Sequence, residues 1–360
     1  MSCAASTAGR EKAAHQGSGI DEKTCSEKVP ESMELEKLSS LEFLEDVGNG
    51  FFKYRAKRPD GSEAVLYANR ERLDEGPRKP AIIVATGSGC GSVFRRLENG
   101  KISQGLPGFF VRAAGERYTI LVMEKRGVQH LAGGGGDALK CSQEYHRHAT
   151  RPLRVAELLL LVGSARDWES VDATRVVLFG HSEGTDVVSG AAARAGDIIT
   201  HVGFFAGGGP TQMFDFVLMF REKLKGQPPE VVEKQVAALM EMFRDVFRNP
   251  TSTEKMLFGH PYSRWAGFFK YAPVEDLLKV NVPLFVAHGS EDQSVPISSA
   301  DFIEVEFIRH GKTNLTFRRY PGLDHDFRSA QGGEVEGEKE NAKDGMPRVV
   351  NDFLEWIESG

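Results

Sequence analysis

Ser182 stands in Gly180-His181-Ser182-Glu183-Gly184, the pattern G-x-S-x-G, directly after the apolar run Val176-Val177-Leu178-Phe179 and before the small-residue stretch "TDVVSGAAARAG". A strand that turns sharply into a helix leaves no room for side chains two residues either side of the turn. Both flanking positions then want glycine, and the serine oxygen projects from the end of the strand. The helix that follows points its N-terminus at the same place, which favours developing negative charge. A serine held this way is a candidate nucleophile. The alternative is a serine in an ordinary glycine turn, and the strand before it and the helix after it argue against that.

A nucleophilic serine needs a base, and the base needs an acid to orient it. "VPLFVAHGSEDQSVP" offers Asp292 in the loop after an apolar strand, with Glu291 beside it as a competitor. "FRRYPGLDHDF" offers His325 just after the next strand. The order Ser, Asp, His along the chain is the one used by α/β-hydrolases. Asp324 and Asp326 flank His325 too closely to face it as the triad acid. The oxyanion needs two backbone N–H groups. One is expected from Glu183, and the other from "VATGSGCGS", at Ser88 within one residue.

The elements that must carry these residues alternate between strand and helix. "GFFKYRAK" and "SEAVLYANR" read as a hairpin about Pro59-Asp60-Gly61. "AIIVAT", "YTILVM", "TRVVLF", "HVGFFAG", "VPLFVAHGS" and "LTFRRY" read as strands separated by helical patterns, including "GLPGFFVRAAGE" and a long helix from about Pro152. This alternation implies βαβ units and a mostly parallel sheet. Residues 210–270 break the rhythm with helical stripes only, through Met213, Val217, Phe220 and Leu224, then Val232, Val236, Leu239, Met240, Phe243 and Phe247.

The chain resembles α/β-hydrolases of the serine esterase, dienelactone-hydrolase and prolyl-oligopeptidase-like group. The resemblance covers about residues 80–210 and 275–358 and rests on "IIVATGSGCGS", "VMEKRGV", "VVLFGHSEGT", "VAHGSEDQSVP" and "YPGLDHDF". It implies an eight-stranded, mostly parallel sheet with a lid inserted after the sixth strand, where the helical block falls. Two positions depart from the group. Thr86-Gly87 replaces the usual His-Gly before the oxyanion loop, and the nucleophile is serine where dienelactone hydrolases carry cysteine. No β-propeller sequence precedes the hydrolase part.

The expected organisation is a disordered tail over 1–32, a hydrolase core over 33–209, a helical cap over 210–270 and the rest of the core over 271–360, with a polar loop at 328–344. The expected function is cleavage of a carboxylic ester through an acyl-enzyme. The alternatives are an amidase, peptidase or thioesterase with the same triad, and a non-catalytic binding protein on the same scaffold. Its partner would be a small-molecule acyl substrate.

With 360 residues, net charge −6 and 27% charged residues, the chain has the profile of a soluble globular protein. It lacks the basic stripe of a nucleic-acid binder. The run Leu158–Val162 is too short to span a bilayer. No secretory-type apolar stretch stands near Met1, so a cytoplasmic setting is expected, with an exported form whose leader is absent from this sequence as the alternative.

"ATGSGCGS" lacks the third glycine of a dinucleotide fingerprint. "GGGG" at 133–136 lacks the lysine of a P-loop, and His146 and His148 have no zinc-ligand spacing. No cofactor or metal is expected. Cys90 and Cys141 lie in loops that leave the same sheet edge, which permits a disulfide. The alternative is two separate thiols in a reducing compartment.

Overall fold

The computed structural model describes residues 35–97, 99–133, 141–329 and 344–359. The expected tail, most of the 328–344 loop and residues 134–136 of the glycine run lie outside these. The main strands are β1 Ser39–Gly48, β2 Phe51–Lys57, β3 Glu63–Ala68, β4 Lys79–Ala85, β5 Thr119–Met123, β6 Val171–His181, β7 His201–Phe205, β8 Leu284–Gly289 and β9 Leu315–Tyr320. They form one sheet in the order β1-β2-β3-β5-β4-β6-β7-β8-β9. The pairs from β1 to β5 are antiparallel, and the remaining pairs are parallel.

Among the described residues the sheet has nine strands, where eight were expected, and the helical block follows the seventh. The added strand, β1, is the edge strand "SSLEFLEDVG", mostly exposed and rich in acid residues. It has no buried face to impose the alternation by which a strand is recognised.

Strands buried on both faces read as continuous apolar runs. In β4, Ala81, Ile83 and Ala85 enter the core on one face, while Ile82 and Val84 enter the core on the other. Helices α3 (Arg151–Ala165) and α4 (Glu183–Ala195) cover the first face. Helices α1 (Gly105–Ala114) and α10 (Met346–Ser359) pack together on the second. After β4 the chain crosses to β5 on one side, and after β5 it returns to β6 on the other. Neighbouring strands whose connections diverge leave a crevice at their carboxyl ends, where α/β sheets bind ligands. Ala85 at the end of β4 lies opposite Gly180, two residues before Ser182.

Between β7 and β8 the chain forms α5 (Gln212–Lys223), α6 (Pro229–Arg248) and α7 (Tyr262–Phe269). These helices have a small core of their own, built on Val217, Val236, Leu239, Phe243, Val246 and Trp265.

Candidate active site

Ser182 has φ 56° and ψ −131°, a backbone conformation that L-residues rarely adopt. Its N–H donates to the Phe205 carbonyl of β7 at 3.0 Å, and α4 starts one residue later. The two glycines are required by contact. A β-carbon at Gly180 would lie 2.5 Å from the Gly184 carbonyl oxygen, and one at Gly184 would lie 2.2 Å from that of Ala85. A side chain at Gly184 would push the elbow off β4, and one at Gly180 would collide with the first turn of α4.

His325 Nε2 lies 2.9 Å from Ser182 Oγ, and His325 Nδ1 lies 2.8 Å from Asp292 Oδ2. A carboxylate at Nδ1 favours the tautomer with its proton there, which leaves Nε2 to accept the serine proton. Asp292 is buried, and its Oδ1 accepts the N–H groups of Ser294 and Val295, both at 2.8 Å. Glu291 faces solvent and takes the Ser290 hydroxyl at 3.1 Å. Asp324 accepts the N–H groups of Asp326 and Arg328, so its carboxylate closes the turn and does not reach the imidazole.

Two further histidines hold this arrangement and were missed in the sequence. His181 Nε2 lies 3.0 Å from the His325 carbonyl oxygen. Burial, then the neighbouring His325, pushes its pKa down to about 4, so the ring is a neutral donor at physiological pH. His288, fully buried, lies 2.8 Å from the Val295 carbonyl and 3.3 Å from Asp292 Oδ2 through its Nε2. Burial keeps it below the ordinary histidine range despite the pull of Asp292.

Ser88 and Glu183 line the same cleft as Ser182. The Ser88 loop is tied at three points. Lys125 Nζ donates to the Ser88 and Gly89 carbonyls at 3.3 and 2.5 Å, Arg154 donates to the Thr86 carbonyl at 2.5 Å, and Cys90 is joined to Cys141 by a disulfide with Cα atoms 5.5 Å apart. Burial, then Arg154, pushes the Lys125 ammonium down to about 7. The Glu183 side chain is buried between Arg154, at 2.7 Å, and Arg264 of α7. Burial alone would raise this carboxyl, but Arg264, Arg154 and Lys125 outweigh it and hold it below the usual range.

Ser182 opens onto two spaces. One, of about 310 Å³, is walled by Phe216, Met219, Phe258 and Trp265 from the helical block. The other, of about 690 Å³, runs along the Ser88 loop and the start of α1. His146, His148 and His130 do not converge. His148 binds the Glu144 carbonyl, His130 lies against the Tyr67 hydroxyl, and His146 packs beside His260. Among the described residues no group of three or more His, Cys, Asp or Glu side chains is placed to hold a metal ion.

Residues 262–358 match the dienelactone hydrolase family. A 64-residue stretch is 34% identical to the non-heme chloroperoxidase of Burkholderia pyrrocinia, covering 18% of this chain and 22% of that protein. Among solved structures, Est1E from Butyrivibrio proteoclasticus superposes over 89% of this chain and 100% of its own, with TM-score 0.51 and 14% identity. The chain has the α/β-hydrolase fold. An acylaminoacyl peptidase from Pyrococcus horikoshii superposes over 89% of this chain, with TM-score 0.53 and 15% identity. This chain spans 42% of that peptidase's length. The family match begins within the helical block and takes in Asp292 and His325, while Ser182 and Ser88 lie upstream of it.

Proposed function

We propose that the chain is a serine hydrolase that cleaves a carboxylic ester through an acyl-enzyme. His325 takes the proton from Ser182 as Oγ attacks the carbonyl carbon. Asp292 holds Nδ1–H and stabilises the imidazolium that forms. The Ser88 and Glu183 N–H groups receive the oxyanion. His325 then protonates the leaving alcohol, and water attacks the acyl-enzyme with the same histidine as base. The observation that carries this reading is the unbroken run of short contacts from Ser182 Oγ through the imidazole to Asp292.

A fluorophosphonate probe tests it directly. Mass spectrometry should find the adduct on Ser182, and p-nitrophenyl esters should be turned over. A protein that takes no label and hydrolyses nothing would be a binding protein on a hydrolase scaffold. A second reading, an amidase or peptidase, is favoured by the superposition on peptidases. Comparing matched esters, thioesters and anilides separates these chemistries. No described helix is long and apolar enough to cross a membrane. The Cys90–Cys141 bridge favours an oxidising compartment over the cytoplasmic setting expected from the sequence, since disulfides persist where thiols are not kept reduced. Peptide mapping of native protein without reductant tests that placement.

A further inference from the structure

Two buried carboxyl groups that the triad does not use, Asp186 and Asp215, line the 310 Å³ cleft together with Ser182. Asp186 stands one helical turn beyond Ser182 on α4, and Asp215 lies in the first turn of α5. Gly208 passes beside Asp215 and Ser299 without a side chain. A β-carbon there would lie 2.9 Å from both Asp215 oxygens. Asp215 Oδ1 accepts the buried Ser299 hydroxyl, and Asp186 Oδ2 accepts Gln212 Nε2 at 3.2 Å. Asp186 Oδ1 is buried with no hydrogen-bond partner from the protein. A buried carboxylate oxygen left unpaired costs free energy that a donor from a ligand would recover.

The cation beside Asp186 is Arg151, and its guanidinium is committed elsewhere. It donates to the Asp186 backbone carbonyl at 2.8 Å, to Ser189 Oγ at 3.1 Å and to Asp276 at 2.6 Å. Burial, with Glu183, pushes Asp186 up to about 7, and burial, with Asp186 and Asp292, pushes Asp215 up to about 8. A cationic nitrogen placed against them draws both carboxyls back towards the charged form. The remaining walls are aromatic faces, Phe216, Phe258 and Trp265, which attract cations as well as hydrocarbon.

We propose that Asp186 and Asp215 form an ammonium-recognition site in the acyl cleft, so that the preferred acyl group carries a positively charged nitrogen within a few bonds of the scissile carbonyl. This rests on the hydrolase reading above. A helical turn rises about 5.4 Å, so a carboxylate one turn from Ser182 suits an amine close to the carbonyl. An acyl group bearing its own carboxylate would be repelled.

The test uses four p-nitrophenyl esters on the full chain: L-alanyl, isobutyryl with methyl in place of ammonium, L-lactoyl with hydroxyl in its place, and N-acetyl-L-alanyl. The alanyl ester should exceed the other three in kcat/KM by at least about tenfold. That advantage should shrink by about tenfold in Asp186→Asn and in Asp215→Asn, chiefly through KM. Fluorophosphonate labelling of each variant checks that the site is folded. Equal rates for alanyl and isobutyryl esters in the unaltered protein would overturn the proposal. So would an equal gain for the lactoyl ester, which would mark a hydroxyl site, or an advantage that neither variant reduces. Calorimetry on Ser182→Ala is independent of turnover. It should show L-alaninamide binding and isobutyramide not binding. If Ser182 takes no label and no ester is cleaved, the reaction falls and this binding difference alone decides the ammonium site.

Discussion

The sheet edge and the helical block meet at Ser182, and they are built differently. At the edge, the serine, the imidazole and Asp292 have partners at their polar atoms, with the buried His288 Nδ1 as the exception. Asp292 takes two N–H groups and an imidazole, and His325 is held through its own carbonyl by His181. In and against the helical block, buried polar atoms stand without protein partners: Arg264 Nε and Nη1, His260 Nδ1, Ser263 Oγ and Asp186 Oδ1. On the proposed function, the edge would set up one reaction whatever the substrate. The block supplies aromatic surface and buried polar atoms without partners, which on the proposed function would discriminate between substrates, because a wrong ligand leaves those groups unpaired.

If that division is right, substitutions at the edge should destroy rate and substitutions facing the block should shift selectivity or stability. Ser182→Ala should lower ester hydrolysis by at least about 10³-fold and abolish fluorophosphonate labelling, with little change in Tm, since it removes one oxygen at the mouth of a cleft. Retention of activity within tenfold would break the comparison at its centre. Asp292→Asn should cost about 10²- to 10⁴-fold in kcat by favouring the wrong tautomer of His325. Glu291→Gln, on a side chain that faces solvent, should leave kcat within about twofold. A larger loss from the glutamine would move the acid by one residue. Arg264→Met breaks a buried ion pair with Glu183 and should destabilise by about 3–5 kcal/mol in denaturant titrations. A loss below about 1 kcal/mol would show that Arg154 alone neutralises Glu183.

The smallest effect sharpens the contrast through pH. Burial favours the protonated form of Asp215 in the folded chain, up to about pH 8. Unfolding releases that proton, so its contribution to stability falls as pH rises from the ordinary carboxylate range to about 8. Asp215→Asn, which cannot ionise, should therefore raise Tm by about 2–4 °C at pH 8 and by less at pH 5. A gain that does not grow with pH would mean that the carboxyl is already charged in the fold.

The two regions also differed in what the sequence disclosed. The inner stretches of the parallel strands, such as Ala81–Ala85 of β4 and Val176–Phe179 of β6, are apolar runs because both faces are buried, and such runs are visible in the sequence. The elbow glycines were legible for the same kind of reason, since Gly180 and Gly184 answer to contacts within a few residues and to β4. Strand β1 was not legible. An exposed, acid-rich edge strand is held by ladder hydrogen bonds that any sequence can make. Glu183 was read only as an N–H donor. Its carboxylate is neutralised by arginines 29 and 81 residues away, and nothing in local spacing announces such a pairing. The stripes of the helical block announced helices, but not that Phe216, Phe258 and Trp265 would wall the cleft. Helix packing of that kind depends on three-dimensional placement, not on period.

The bond between Cys90 and Cys141 encloses a stretch of chain with a sequence separation of 51 that includes α1 and β5. A protease that cut once anywhere inside that stretch would leave both halves covalently tied, with the Ser88 loop still anchored at Cys90. A nicked molecule would therefore run as one species on a denaturing gel until a reductant was added, and then fall into two. The bridge decides only whether the pieces stay together: β5 is buried inside the sheet, so a cut has to fall outside it.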